Sequence, residues 1–273
     1  MFTVDQKNRL TGYFSDLRLS IIAMIEGWDR GHKFEIKKWD RDGGGSGEMG
    51  VLHGETFEKM GVNFSEVFGK LENIYLAETL PGVGSDRSFW ASGVSLVSHP
   101  KNPFIPPIHM NVRAIATENA VWFGGGIDLN SIFPDEVETA KFKEKIRDVC
   151  DRFDDKFFDK FSQKCDEYFY IPHRKESRGV GGIFFDYLLI DGDFERTFDF
   201  VKAIGDLFNV VYSDIISKKI NKTWTESDRE FQLFKRGRYA EFNLLYDRGI
   251  KFGLATGGNP DAMMMSLPPL VKW

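Results

Sequence analysis

The sequence predicts an α+β fold, a single domain with a large, mainly antiparallel sheet flanked by helices. Strand-like runs gather in the first half and long helical patterns in the second. Strict β-α alternation, the mark of a doubly wound parallel sheet, is missing. No internal repeat and no Pro- or Ser-rich linker divides the 273 residues. A chain of that length can bury most of its apolar surface in one core, so residues 1–273 are read as one domain.

The elements follow from local pattern. Leu10, Tyr13, Phe14, Leu17, Ile21, Ile25 and Trp28 recur at three- and four-residue steps, predicting a helix over 4–29. Alternation over 33–42 predicts a strand, and Gly43–Gly47 then breaks the chain. Three further strand-like runs cover 48–59, 88–99 and 108–125; the run through Val94, Leu96 and Val97 has the small and β-branched content of a buried strand. Helical patterns dominate 135–168 and 194–236, with charge-rich stretches such as Lys141–Lys145 supplying i,i+4 pairs on a wet face. Between them, residues 174–186 pass from charged loop to glycine turn to apolar strand. A last strand is expected over Tyr239–Tyr246, followed by a Met-rich turn and Ser266-Leu267-Pro268-Pro269-Leu270.

Composition narrows the function classes. The 36 basic and 41 acidic residues leave a formal charge of −5, which disfavours general nucleic-acid binding. An anionic ligand needs a local Arg cluster against that field. Two cysteines, Cys150 and Cys165, form neither a disulfide framework nor a zinc pattern, as expected of a reducing cytosol. The N-terminal residues lack a basic n-region and a continuous apolar core, and no run approaches the length of a membrane span. The expectation is a cytoplasmic protein without a membrane span. Aromatic residues reach 15%, with 26 Phe, and favour flat, Phe-lined cavities.

Several clusters bear on chemistry. Gly43–Gly47, Gly124–Gly126, Gly179–Gly182 and Gly257-Gly258 match no phosphate-loop string, and read first as tight turns or close backbone approach. His99 and His109 flank the proline-rich loop 100–107. In His109-Met110-Asn111-Val112-Arg113, alternation places His109, Asn111 and Arg113 on one strand face. An imidazole, an amide and a guanidinium together can hold a carboxylate and pass a proton; a solvated strand face is the plainer reading. Asp128 follows an aromatic-glycine segment and is either a turn aspartate or a desolvated acceptor at a pocket floor. The basic run His173–Arg178 leads into Gly179–Gly182, either as a solvated face or as a second carboxylate-holding corner.

Five stretches carry a resemblance: FEKMGVNFSEVFG (57–69), GVSLVSHPKNPFIPPIHMNVR (93–113), WFGGGIDL (122–129), CDEYFYIPHRKESRGVGGIFFD (165–186), and FNLLYDRGIKFGLATGG with MSLPPLVKW (242–258, 265–273). In this order they resemble the oxygen-dependent coproporphyrinogen III oxidases of haem biosynthesis. The resemblance implies an oxidoreductase acting on CH–CH groups. Dioxygen decarboxylates two propionates of coproporphyrinogen III to vinyl groups, giving protoporphyrinogen IX, carbon dioxide and hydrogen peroxide. It implies a homodimer and no organic cofactor.

Carried over by position, the resemblance makes His109 a proton donor and Asp128 the carboxylate at the tetrapyrrole centre. On charge, Arg113 and either Arg174 or Arg178 are the candidates to orient the propionates of such a substrate. Ser95, Asn111, Val112, Arg113, Gly257, Gly258 and Asn259 become substrate-binding residues. His99, His109 and His173 match three of four histidines assigned to a metal, often manganese, in bacterial members. Three departures stand out. Lys143 occupies the place of the fourth histidine, Asn259 replaces a common arginine, and the Gly43–Gly50 region lacks an arginine that many members carry. Asp128→Ala and Arg113→Ala are expected to lose turnover while folding normally. The competing readings are a non-catalytic tetrapyrrole-binding protein and an oxidase dependent on a histidine-bound metal.

Overall fold

The chain is described by a computed structural model covering residues 1–273, the side chain of Leu76 excepted. It begins with helix α1 (Val4–Trp28), where Thr3 and Gln6 form a capping box. Six strands follow: β1 (Glu35–Asp40), β2 (Gly45–Leu52), β3 (Phe57–Lys70), β4 (Ser88–Pro100), β5 (Ile108–Thr117) and β6 (Val121–Leu129), with the short helix α2 (Ile74–Thr79) between β3 and β4. Helices α3 (Glu136–Asp151) and α4 (Phe157–Tyr168) lead to a small ribbon of β7 (Tyr170–Ile171) and β8 (Glu176–Ser177), then to β9 (Gly181–Leu188). Four helices complete the chain: α5 (Phe194–Lys219), α6 (Glu226–Leu245), α7 (Arg248–Ala255) and α8 (Pro260–Met264).

The main sheet has seven strands in the order β1-β2-β3-β4-β5-β6-β9, every neighbouring pair antiparallel. Successive side chains of a strand point to opposite faces, so the sheet has two different surfaces. One carries Val62, Val94, Leu96, Met110, Val112 and Ala114, all fully buried. They pack in one cluster with Leu10, Phe14, Leu17 and Ile21 of α1 and Val201, Ile204 and Phe208 of α5. On this side α1 lies on β3 and β4, and α5 on β5 and β6.

The other surface is partly covered by the C-terminal segment. Met265, Met49 and Ala262 form a separate apolar cluster. The Met265 sulfur sits where a Cβ on Gly61 would stand, so the bare backbone of β3 is the seat of the segment. Polar contacts repeat the attachment: Asn63 Nδ2 donates to the Ala262 carbonyl at 2.6 Å, Lys59 Nζ to Leu267 O at 2.9 Å and Arg41 Nε to Thr256 O at 2.9 Å.

Several sequence expectations need correction. The run 48–59 is two strands: the chain turns at 53–56, where the buried Asp29 carboxylate accepts the N–H groups of Glu55 and Phe57, both at 2.8 Å. The run 108–125 is a hairpin closed by Thr117 N–H on the Ala120 carbonyl at 2.9 Å. Gly45 and Gly47 lie within β2, and the Trp39 indole covers the space that a side chain on Gly47 would take. The strand expected over Tyr239–Tyr246 falls in α6 and its cap. Tyr239, Phe242 and Tyr246 recur at steps of three and four, and a short apolar run does not distinguish strand from buried helix.

Because the seat at Gly61 has no free volume, Gly61→Val should lift residues 260–267 while leaving the opposite core intact. The expected cost is about 1–3 kcal/mol, as for overpacking. Limited proteolysis with mass mapping should then cut within 255–267, and unchanged protection there would contradict this seat.

Candidate active site

The second sheet surface gathers the polar side chains. His109, Asn111 and Arg113 point away from the helices and are each half-buried. Their neighbours in register are Val97, Ser95 and Gly93 on β4 and Asp128, Gly126 and Gly124 on β6. Across the strands run Met49, Asn63, Ser95, Asn111 and Gly126. With strands about 4.8 Å apart and residues about 3.4 Å apart along a strand, the patch from Asn63 to Gly126 and from His109 to Arg113 measures about 14 Å each way. Gly93, Gly124 and Gly126 add no side chains to this face, and the Asp186 carboxylate and Arg113 guanidinium lie over Gly124.

Arg113 is held from two sides: its Nη1 donates to Asn111 Oδ1 at 2.5 Å and its Nη2 meets Asp186 Oδ2 at 3.0 Å. Asn111 Nδ2 donates to the Val94 carbonyl at 3.2 Å. Beyond β6, Tyr168 stacks flat on Phe184 with ring centres 4.3 Å apart, and the Arg248 guanidinium lies 4.7 Å over Tyr168. On the other side, Gly257-Gly258-Asn259 forms the α7–α8 junction. Gly257 takes φ 73°, and the Asn259 side-chain oxygen caps α8 on the N–H groups of Asp261 and Ala262. Ser95 thus lies between Asn63, which holds α8, and Asn111, which holds Arg113.

Beneath the patch is a buried charge chain. Asp128 Oδ1 pairs with His109 Nδ1 at 2.8 Å; its Oδ2 accepts from Arg178 Nη2 at 2.7 Å and Asn130 Nδ2 at 3.0 Å. The Arg178 guanidinium lies 3.8 Å from the Phe169 ring centre, 4.8 Å from Tyr239 and 4.9 Å from Phe242, an aromatic cage for a buried cation. Burial by itself would raise the Asp128 pKa, but Arg178 and His109 outweigh it and hold the carboxyl below its usual range. An ionised Asp128 accepts the Nδ1–H of His109, which leaves Nε2 for the open side.

Some assignments from the sequence do not survive this geometry. Asp128 is 2% exposed and both its oxygens are occupied, by His109 on one side and by Arg178 and Asn130 on the other. The Val112 side chain lies in the core on the opposite face. Arg178 is buried on Asp128, while Arg174 forms a two-point pair with Glu241 at 2.7 and 2.9 Å on the surface, so neither forms a carboxylate-holding corner. Asn259 spends its oxygen on the cap.

The three histidines named for a metal have separate duties. His99 is buried, with Nε2 on the Ser266 carbonyl at 2.9 Å and its ring edge-on to Tyr239. His109 is held by Asp128. His173 sits at the rim with its ring nitrogens 2.8 Å from Tyr246 Oη and 2.7 Å from Glu241. Among the described residues no group of three His, Cys, Asp or Glu could hold a metal ion, so these side chains do not fit the expected ligand set.

The sequence reading missed Asp186, Asn63, Asn130 and Glu241. Asp186 had a visible signal, because Gly182, Phe184 and Asp186 alternate along one strand face. Glu241, the partner of Arg174, comes from the distant helix α6 and left no local pattern.

Two tests follow. Removing Asp128 strands a buried guanidinium, so Asp128→Ala should cost about 3–5 kcal/mol in urea unfolding. Normal stability would show that Arg178 finds another partner. His99 is pushed down to about 3, by burial first and then by Arg236. Its unfolded value is about 6.5, so between these values the unfolded chain binds the extra proton. Stability therefore falls as pH drops from about 6.5 toward 3, by up to about 1.4 kcal/mol per pH unit. His99→Gln should flatten that dependence between pH 6 and 4, and an unaltered slope would assign it elsewhere.

Comparison with known proteins identifies the family. Residues 9–273 match the family described as coproporphyrinogen III oxidase. The oxygen-dependent coproporphyrinogen-III oxidase of Rickettsia bellii (strain OSU 85-389) is 48% identical over 281 aligned residues, covering 99% of this chain and 100% of the relative. That of Rickettsia rickettsii (strain Sheila Smith) is 51% identical over 241 residues, covering 88% of this chain and 85% of the relative. An equal identity and coverage hold for the enzyme of Rickettsia akari (strain Hartford). On the match along almost its whole length, this chain belongs to the coproporphyrinogen III oxidase family.

Proposed function

We propose that this chain carries out the dioxygen-dependent oxidative decarboxylation of two propionates of coproporphyrinogen III, giving protoporphyrinogen IX. The observation that carries the reading is the polar patch of Ser95, Asn111, Arg113 and His109, set on a rigid sheet at the breadth of a four-ring ligand. For each propionate the balance is R–CH2CH2–COO⁻ + O2 + H⁺ → R–CH=CH2 + CO2 + H2O2. The side-chain carbon gives up a hydrogen with two electrons, the C–COO bond breaks, and dioxygen takes the electrons.

The residues supply binding and proton control. Arg113 holds a propionate by a charge-assisted pair, which orients the arm to be cleaved. The Tyr168–Phe184 stack and the methionines of the C-terminal segment give the rings apolar walls that exclude water. His109 presents Nε2 to the ligand, with its ring fixed by Asp128; Nε2 takes up a proton from solvent and passes it to the peroxide product. The electron-rich pyrrole reacts with dioxygen itself, so the reading includes no organic cofactor. It includes a homodimer at work in the cytoplasm. Free, buried Cys150 and Cys165 suit a reducing compartment, and no described helix is long and apolar enough to cross a membrane.

The test is incubation of chelator-treated protein with coproporphyrinogen III in air and under argon, following carbon dioxide and vinyl product. Product is expected only in air. Arg113→Ala and His109→Ala should lower kcat by about 10²–10⁴ with unchanged circular dichroism. Absence of product in air, or equal product under argon, would refute the reading.

A further inference from the structure

The pairing of β6 with β9 has one irregularity, and it falls at the site. Phe123 pairs with Leu188 and Gly125 with Phe185, so Asp186 and Tyr187 together oppose Gly124 alone. Such a bulge re-aims side chains and recurs beside active sites. Tyr187 takes φ 54°, in the left-handed region that a bulky residue avoids. Backbone held there is over-determined by its surroundings and clusters at functional sites.

The bulge brings the Asp186 carboxylate over bare Gly124. A Cβ at 124 would strike both Asp186 Oδ1 and the Arg113 guanidinium. Asp186 Oδ2 pairs with Arg113 Nη2 at 3.0 Å, and Oδ1 accepts the Tyr187 N–H at 3.1 Å. The Asp186 side chain is 20% exposed, against 2% for Asp128. Of the two carboxylates that β6 and β9 place on this face, Asp186 is the one a ligand can reach.

We propose that Asp186 is a substrate-touching carboxylate that accepts the pyrrole N–H groups of the reduced macrocycle, exchanging Arg113 for them as the ring binds. This rests on the oxidase reading. A porphyrinogen carries N–H donors at its centre and carboxylates at its rim. Arg113 and Asp186 satisfy one another in the structure, and the ligand brings a partner for each: a rim carboxylate for the guanidinium and central N–H groups for the aspartate. Neither charge is stripped bare as water leaves the cleft, which is the costly outcome. A carboxylate fixed on the pyrrole N–H groups also stabilises the positive charge that develops on the ring as electrons pass to dioxygen. No bond to Asp186 forms or breaks.

The experiment compares wild type, Asp186→Asn and Asp186→Ala in turnover of coproporphyrinogen III, with glutarate as a competitive probe of Arg113. Asp186→Asn keeps the shape and loses the charge, and kcat should fall about 100-fold or more, as for removal of a preorganised electrostatic group. Asp186→Ala should lose turnover as well, yet bind glutarate several-fold more tightly, because its guanidinium is released. A merely structural role would not strengthen carboxylate binding. Wild-type turnover in Asp186→Asn, or an unchanged glutarate Kd by calorimetry in Asp186→Ala, overturns the proposal. Failure of wild type to release carbon dioxide in air counts against the oxidase reading instead, and the glutarate comparison still judges the exchange at Arg113.

Discussion

The two-residue pleat of β5 governs both stability and chemistry in this protein. Ile108, Met110, Val112 and Ala114 are fully buried beneath the helices, while His109, Asn111 and Arg113 stand on the opposite surface. A slip of one residue would drive a guanidinium and an imidazole into the core and push four apolar side chains toward water. The burial that holds the sheet to α1 and α5 therefore also fixes which way the reactive groups face. Neighbouring strands obey the same register, which sets Ser95 beside Asn111 and Asp128 beside His109.

Charge is managed in two layers. The lower layer is dry: Arg178, caged by three aromatic rings, keeps Asp128 ionised, and Asp128 orients His109. The upper layer is open to ligands and consists of Arg113, Asn111 and Asp186. The lower layer resists rearrangement, because each of its members would be left buried without a partner. The upper layer is partly hydrated, so its pairs can be remade at small cost. Only His109 reaches from one layer into the other.

Much of this was legible in the sequence, and what was hidden has a physical reason. Alternation alone places His109, Asn111 and Arg113 together, because a strand's period is local. It also places Val112 on the opposite face, which a contiguous substrate-binding stretch obscures. Five motifs in order identify the family, but motif identity does not tell a residue that touches a ligand from one that supports it. The burial of Asp128 was likewise hidden, since Arg178 meets it only after β6 and the 169–180 segment pack together. The bulge at Asp186 was not visible, because it is a mismatch between two strands and not a property of either one. Tyr239–Tyr246 misleads for a related reason: eight residues fit both periods, and packing of Phe242 against Phe169 and Tyr168 decides for the helix.

The wall over β2 and β3 has a consequence for biosynthesis. The sheet is complete in sequence at Leu188, but Ala262 and Met265, which close that side of the cleft, are made more than seventy residues later. On the ribosome the strands can therefore pair well before any cleft exists. A nascent chain at that stage has the floor but not the enclosure, and it cannot shelter an oxygen-sensitive guest. Reactive chemistry is thus deferred by chain order.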